Sequence, residues 1–289
     1  MKYACVLLLV AACGGSNAAP PDALPTELGG DRPVKLQVPP TIEDGKTYPL
    51  VLILHGYGAN GFVQQAYLQM RDLPTAENAF VLAPDGLVDS SGHAYWNADP
   101  ACCDLDHTGN DDVAYLGGLL DTVIAERPID RSRVFIVGHS NGAFMAYRMA
   151  CDRSDVVVAI AGLAGAAAST ASTCNPSHPV SILHMHGTAD TEVPYDGGQV
   201  APGVIAPGAV ASVAQWAQHD GCTGALTPGD TVDLEAGLAG AETQENSTAG
   251  CPAGAAADLW TINGGMHLPD LQPDFHTRVW TWLDAHARP

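Results

Sequence analysis

Short apolar runs alternate with longer segments of helical period along most of this chain. Residues 50–54 (LVLIL) form a continuous apolar run, as a strand buried on both faces requires. Residues 34–38 alternate like a half-buried strand, and runs at 80–83, 134–137, 156–160, 180–185 and 259–262 repeat the strand signal. Helical patterns fall between or after them, near 64–71, 112–125, 140–150, 209–219 and 274–285. Such alternation predicts an α/β chain: a doubly wound, mostly parallel sheet with helices on both faces and right-handed crossovers.

Ahead of this pattern stands a leader-like segment. Lys2 gives a positive charge, 6–12 an apolar run too short to span a bilayer, and Val10-Ala11-Ala12-Cys13 small residues before a cysteine. The tetrapeptide resembles a bacterial lipobox, which implies a lipid anchor at Cys13 as the sole membrane contact. The organisation expected is a leader and start of a tether over 1–19, a flexible Pro-, Gly- and Ala-rich linker over 20–33, and one catalytic domain over 34–289. With 289 residues and 46% hydrophobic content, the chain can bury the core of such a domain.

Charge removes one class of partner. Twelve Lys and Arg against 32 Asp and Glu give a formal charge of −20, which repels phosphate backbones, so no nucleic acid partner is expected. Six of the eight cysteines lie beyond the leader, an even number that points to disulfides and an extracytoplasmic setting. Cys222 and Cys251 flank one Gly- and Ala-rich excursion and are paired here; Cys102, Cys103, Cys151 and Cys174 can pair in three ways. No C-x-x-C spacing supports zinc, and no metal or cofactor is expected.

The most specific chemistry follows the run at 134–137. Gly138-His139-Ser140-Asn141-Gly142 is a G-x-S-x-G between a predicted strand and a predicted helix, where glycines permit a sharp turn that thrusts the serine outward. A serine needs a base, and the base a carboxylate to fix its tautomer. In α/β-hydrolases the chain order is Ser, acid, His. Asp190, after a late strand, is the expected acid, with Asp196 the weaker candidate, and His267 on the glycine-rich loop after the last strand is the expected base. His276 and His286 read as surface residues. Backbone N–H groups of Asn141 and of Tyr57, in His55-Gly56-Tyr57-Gly58, are the expected oxyanion donors.

His55 reads as a hydrogen-bonded residue at a strand end, and it is placed with Tyr95 and Trp96 at the edge of a substrate cleft. Tyr95 and Trp96 either overhang Ser140 or face solvent. His184 and His186, at i and i+2 on one strand, read as core packing beside the triad. The acidic loop over 99–112 lacks EF-hand spacing, and Asp111 is a sensible helix N-cap.

Together these pieces resemble the poly(3-hydroxybutyrate) depolymerase and feruloyl esterase relatives within the α/β-hydrolases. The resemblance rests on LHGYG at 54–58, WNA at 96–98, CC at 102–103, DDVAYL at 111–116, GHSNGAFMAYRMAC at 138–151 and HGTADTEVPYDGG at 186–198. It implies an exported, monomeric serine esterase with Ser140, Asp190 and His267 as triad, acting on feruloyl or acetyl esters of plant cell-wall polysaccharide or on polyhydroxybutyrate oligomers. Many relatives carry Gly-His-Thr-Trp-Pro where this chain has Met266-His267-Leu268-Pro269. A noncatalytic ligand-binding protein, a peptidase and a lipase use the same fold and stay open at this point.

Overall fold

The computed structural model describes residues 26–201 and 203–289. The leader, the lipobox at Cys13 and the first six residues of the expected linker, 20–25, lie outside the described residues. The last part of that linker belongs to the fold instead. β1 (Glu27–Leu28) pairs antiparallel with β2 (Val34–Lys35). From the turn between them, Arg32 reaches Asp112 Oδ1 at 2.6 Å and lies over the Tyr115 ring. The Gly and Pro content of this stretch conceals one part-buried ion pair that holds it down.

The chain continues through β3 (Tyr48–Leu54), α1 (Gly61–Tyr67), α2 (Leu73–Ala76), β4 (Phe80–Leu82) and a small hairpin, β5 (Leu87–Val88) with β6 (Ala94–Tyr95). Then come α3 (Asp112–Glu126), β7 (Ile129–His139), α4 (Asn141–Asp152), β8 (Ala159–Leu163) and β9 (Ser181–Gly187). A second hairpin, β10 (Gly197–Ala201) with β11 (Val204–Pro207), precedes α5 (Ala209–His219), β12 (Leu226–Val232), β13 (Thr243–Thr248), β14 (Ala257–Ile262) and α6 (Phe275–Ala285). Asp111 caps α3, its carboxylate accepting the Ala114 N–H at 2.8 Å.

Eight strands form one sheet in the order β12-β13-β14-β9-β8-β7-β3-β4. The run from β14 to β4 is parallel throughout, and β13 and β12 close one edge antiparallel. Strand periodicity divides the interior in two. Leu50, Leu52, Leu54, Val134, Ile136 and Ile160 face one core with α3, α4 and α5. Val51, Ile53, Phe135, Val137, Ala159 and Ala161 face the other, with α6 and the segment after α1. The predicted run at 156–160 is displaced, since pairing with β7 begins at Ala159.

From β3 the chain steps outward to β4, then returns across to β7 on the other side of β3. This reversal opens a crevice beyond the carboxyl ends of β3 and β7, where a doubly wound sheet places its site. The loops at 55–58 and at Ser140 both emerge there.

Candidate active site

Ser140 lies between β7 and α4 with φ 53° and ψ −123°, a conformation an L-residue rarely adopts. Its flanking glycines are sterically required. A Cβ at Gly138 would stand 2.2 Å from the Gly142 carbonyl oxygen, and one at Gly142 would stand 2.2 Å from that of Leu54. The turn can therefore pass between strand and helix only with glycine at both positions.

Asp190 occupies the turn after β9, and His267 the loop after β14. The two segments are stitched by backbone bonds, Thr188 N–H to Ile262 O and Ala189 N–H to Gly265 O, each at 2.9 Å. A Cβ at Gly187 would stand 2.1 Å from the Gly265 oxygen, so close contact there depends on glycine. The result is a continuous line of three side chains: His267 Nδ1 is 2.8 Å from Asp190 Oδ2, and His267 Nε2 is 2.9 Å from Ser140 Oγ. An ionised carboxylate only accepts, so Nδ1 carries the proton and Nε2 offers its lone pair to the serine hydroxyl.

Burial alone would raise the Asp190 carboxyl, but hydrogen bonds from His186, His267 and the Val193 N–H outweigh it and hold the group well below the usual carboxylate range. Oδ1 accepts the Glu192 and Val193 N–H groups, both at 2.9 Å. Asp196, the weaker candidate, is exposed. His276 and His286 lie in and just after α6, half-buried.

The loop bearing Tyr57 passes beside Ser140, since a Cβ at Gly56 would stand 3.3 Å from the Ser140 Cβ. The Tyr57 hydroxyl donates to Asp89 Oδ2, and burial followed by that contact pushes it up to about 12.

His55, Tyr95 and Trp96 do not line a cleft, contrary to expectation. All three are buried. His55 Nδ1 donates to Gly56 O at 2.7 Å while Nε2 accepts the Gly86 N–H at 2.9 Å. Both ring nitrogens are thus engaged, and burial holds the ring below the ordinary histidine value. The Trp96 indole donates to His55 O at 3.0 Å. Tyr95 turns its hydroxyl to Thr108 and Asn110 at 2.7 and 2.9 Å, bracing the acidic loop from within. The carboxylates of that loop serve the backbone: Asp104 accepts the Thr108 and Gly109 N–H groups, and Asp112 that of Asn97.

Two residues matter more here than their sequence context indicated. His139, inside the G-x-S-x-G, donates from Nε2 to the His267 carbonyl at 2.9 Å, and burial lowers it to about 4, so it stays neutral. His186 sits in the core as expected, yet its Nε2 is also 3.2 Å from Asp190 Oδ2. Its position four residues before Asp190 was the available signal. Three disulfides occur among the described residues: Cys222–Cys251, as paired above, with Cys102–Cys103 and Cys151–Cys174.

The sheet, the strained serine turn and the late acid and histidine loops define an α/β-hydrolase. A family model described as phospholipase/carboxylesterase matches residues 41–206, over half the chain, taking in Ser140 and Asp190. The chain belongs to this phospholipase/carboxylesterase family of α/β-hydrolases. Among curated proteins it is 30% identical over 246 residues to feruloyl esterase B of Piromyces equi, covering 82% of this chain and 42% of that one. It is 29% identical to probable feruloyl esterase C of Aspergillus niger, over 58% of each chain. The chain spans about half the length of the first curated relatives it matches, 42%, 45% and 58% of them. Of solved structures, acetyl xylan esterase from Aspergillus awamori shares the fold with a TM-score of 0.65 at 16% identity, over 89% of this chain and 98% of that one. Esterase PE8 does so at 0.54 and 16%, over 87% and 97%.

Proposed function

We propose that the protein is an exported serine esterase that cleaves feruloyl or acetyl esters on soluble fragments of plant cell-wall polysaccharide. The observation that carries the reading is the Ser140–His267–Asp190 line, with its 2.9 and 2.8 Å contacts. In the proposed reaction His267 Nε2 takes the Ser140 proton as Oγ attacks the ester carbonyl, and Asp190 stabilises the imidazolium. The oxyanion is received by the Tyr57 and Asn141 N–H groups. The imidazolium then protonates the departing alcohol, and water, activated by His267, releases the acid from the acyl-serine.

The named activities of the relatives support the substrate class, and the exposed Met266 and Leu268 on either side of His267 offer apolar contact to an acyl group. Three disulfides support an oxidising compartment. Polyhydroxybutyrate oligomers are the second substrate in this reading, carried by the motif resemblance alone.

The test is hydrolysis of p-nitrophenyl acetate, methyl ferulate, acetylated xylan and a soluble hydroxybutyrate oligomer, each with Ser140→Ala alongside. Turnover lost in the mutant supports the reading, and the preferred ester selects among the acyl groups. Absence of turnover on every ester would overturn it in favour of a ligand-binding protein.

A further inference from the structure

A second line of buried side chains ends on the carboxylate that holds His267. Tyr147 Oη is 2.8 Å from His184 Nδ1, His184 Nε2 is 3.0 Å from His186 Nδ1, and His186 Nε2 is 3.2 Å from Asp190 Oδ2. All of these residues are buried.

One carbonyl fixes the direction of every bond. His186 Nε2 is also 2.8 Å from Val193 O. A carbonyl only accepts, so Nε2 bears the proton and donates it to Val193 O, while Asp190 Oδ2 lies 3.2 Å from the same N–H-bearing nitrogen. With the His186 proton on Nε2, Nδ1 is left to accept and His184 Nε2 to donate. His184 Nδ1 is left to accept the Tyr147 hydroxyl proton. The opposite direction would leave that proton buried without an acceptor, a desolvation cost with nothing to offset it. Burial, then the neighbouring His186, holds His184 well below the ordinary histidine value, and burial holds the Tyr147 hydroxyl protonated.

Asp190 Oδ2 is therefore the meeting point of two donor lines, one from Ser140 through His267 and one from Tyr147 through His184 and His186. We infer that His186 is a positioning residue for the proposed triad: as the second side-chain donor to Asp190, it locks Oδ2 opposite His267 and draws charge from that oxygen. His184 and Tyr147 act through it by fixing its tautomer. This rests on the esterase reading above.

Other groups face the same site from each element around it. The His139 ring, from the end of β7, is 5.1 Å from the His267 ring. The Glu192 carboxylate is 3.7 Å from His267 Nε2. Tyr195 stands edge-on to His186 at 5.7 Å and bonds Thr261 Oγ1 at 2.8 Å. Of these only Glu192 carries a negative charge, and it lies on the serine side of His267. The second donor on Asp190 is thus the contact whose removal leaves more charge on Oδ2.

The test compares His186→Leu, His186→Gln and Tyr147→Phe in the full chain. Two readouts are used: the pH profile of kcat/KM on p-nitrophenyl acetate, and the downfield proton resonance of His267 Nδ1–H. With the competing donor gone, the Leu variant should send the resonance further downfield and shift the acid limb up by on the order of half a pH unit. Its kcat should fall roughly tenfold with KM little changed. The Gln variant, whose amide supplies a donor again, should return toward wild type, and Tyr147→Phe should move both readouts the same way by less. A resonance and acid limb unmoved in both the Leu and Phe variants would overturn the inference, whatever happens to Tm. If the Leu variant does not fold, Gln and Phe decide. If the wild type cleaves no ester, the esterase reading fails by itself and the resonance, which needs no turnover, still judges His186.

Discussion

The side chain of Asn141 pairs with both backbone groups of Trp96: Oδ1 accepts the Trp96 N–H at 2.7 Å, and Nδ2 donates to its carbonyl at 2.9 Å. Nδ2 also reaches Cys102 Sγ at 3.4 Å. One asparagine at the start of α4 thus fastens the long loop with the vicinal disulfide to the turn at Ser140. Asn141→Ala keeps the backbone N–H proposed for the oxyanion but strands two buried polar groups. We expect a stability loss of about 2–4 kcal/mol, and lower kcat from a loosened Ser140 turn. Chemical denaturation with kinetics on one ester checks this; unchanged stability would show that the pairing is dispensable.

The proposed triad, acting as a unit, has a signature in double mutants. Ser140→Ala and His267→Ala should each lower kcat by roughly 10⁴-fold or more, and the double mutant should be little worse than either single. Additive losses would mean that the two side chains do not share one proton transfer, despite their 2.9 Å contact.

Which features could be read in advance follows from where the determining contacts lie. LVLIL at 50–54 announced a strand because both faces of β3 are buried, so every side chain carries the signal. β12 and β13 carry no such signal, because their side chains are mostly partly or fully exposed and polar, and their pairing is carried by backbone bonds at the sheet edge. Ser140, Asp190 and His267 are legible from strand ends, glycines and chain order, all local features. The position of Trp96 is not legible locally, because its backbone is held by Asn141, 45 residues away. The donor role of His186 likewise depends on how the turn at 190–193 folds back over it.

Cys151, near the end of α4, is bonded to Cys174, closing a separation of 23 residues. On the chain-entropy account such a loop contributes about 3 kcal/mol. Cys151→Ser with Cys174→Ser should lower the unfolding free energy by about that amount, while turnover of p-nitrophenyl acetate at low temperature stays close to wild type. Equal urea midpoints for wild type and double mutant would count against a stabilising bridge.

Two buried groups set opposing pH dependences for stability. Asp220 is buried, with Oδ1 accepting the Val180 N–H at 3.1 Å and Oδ2 without a hydrogen-bond partner. Burial raises it from an ordinary 3.8 to about 7. The folded state keeps a proton that the unfolded chain releases, so this contribution is full below about pH 4 and is lost as pH rises through about 7, a swing of up to roughly 4 kcal/mol. His139 runs the other way: lowered from 6.5 to about 4 by burial, it contributes above pH 6.5 and loses that contribution as pH falls through about 4. Asp220→Asn keeps an oxygen for Val180 and cannot ionise, so it should match wild type near pH 4 and exceed it at pH 8. His139→Gln keeps a donor for the His267 carbonyl and should flatten the acid side. Unfolding curves from pH 4 to 8 decide both, and an Asp220→Asn profile parallel to wild type would show that Asp220 does not hold its proton in the fold.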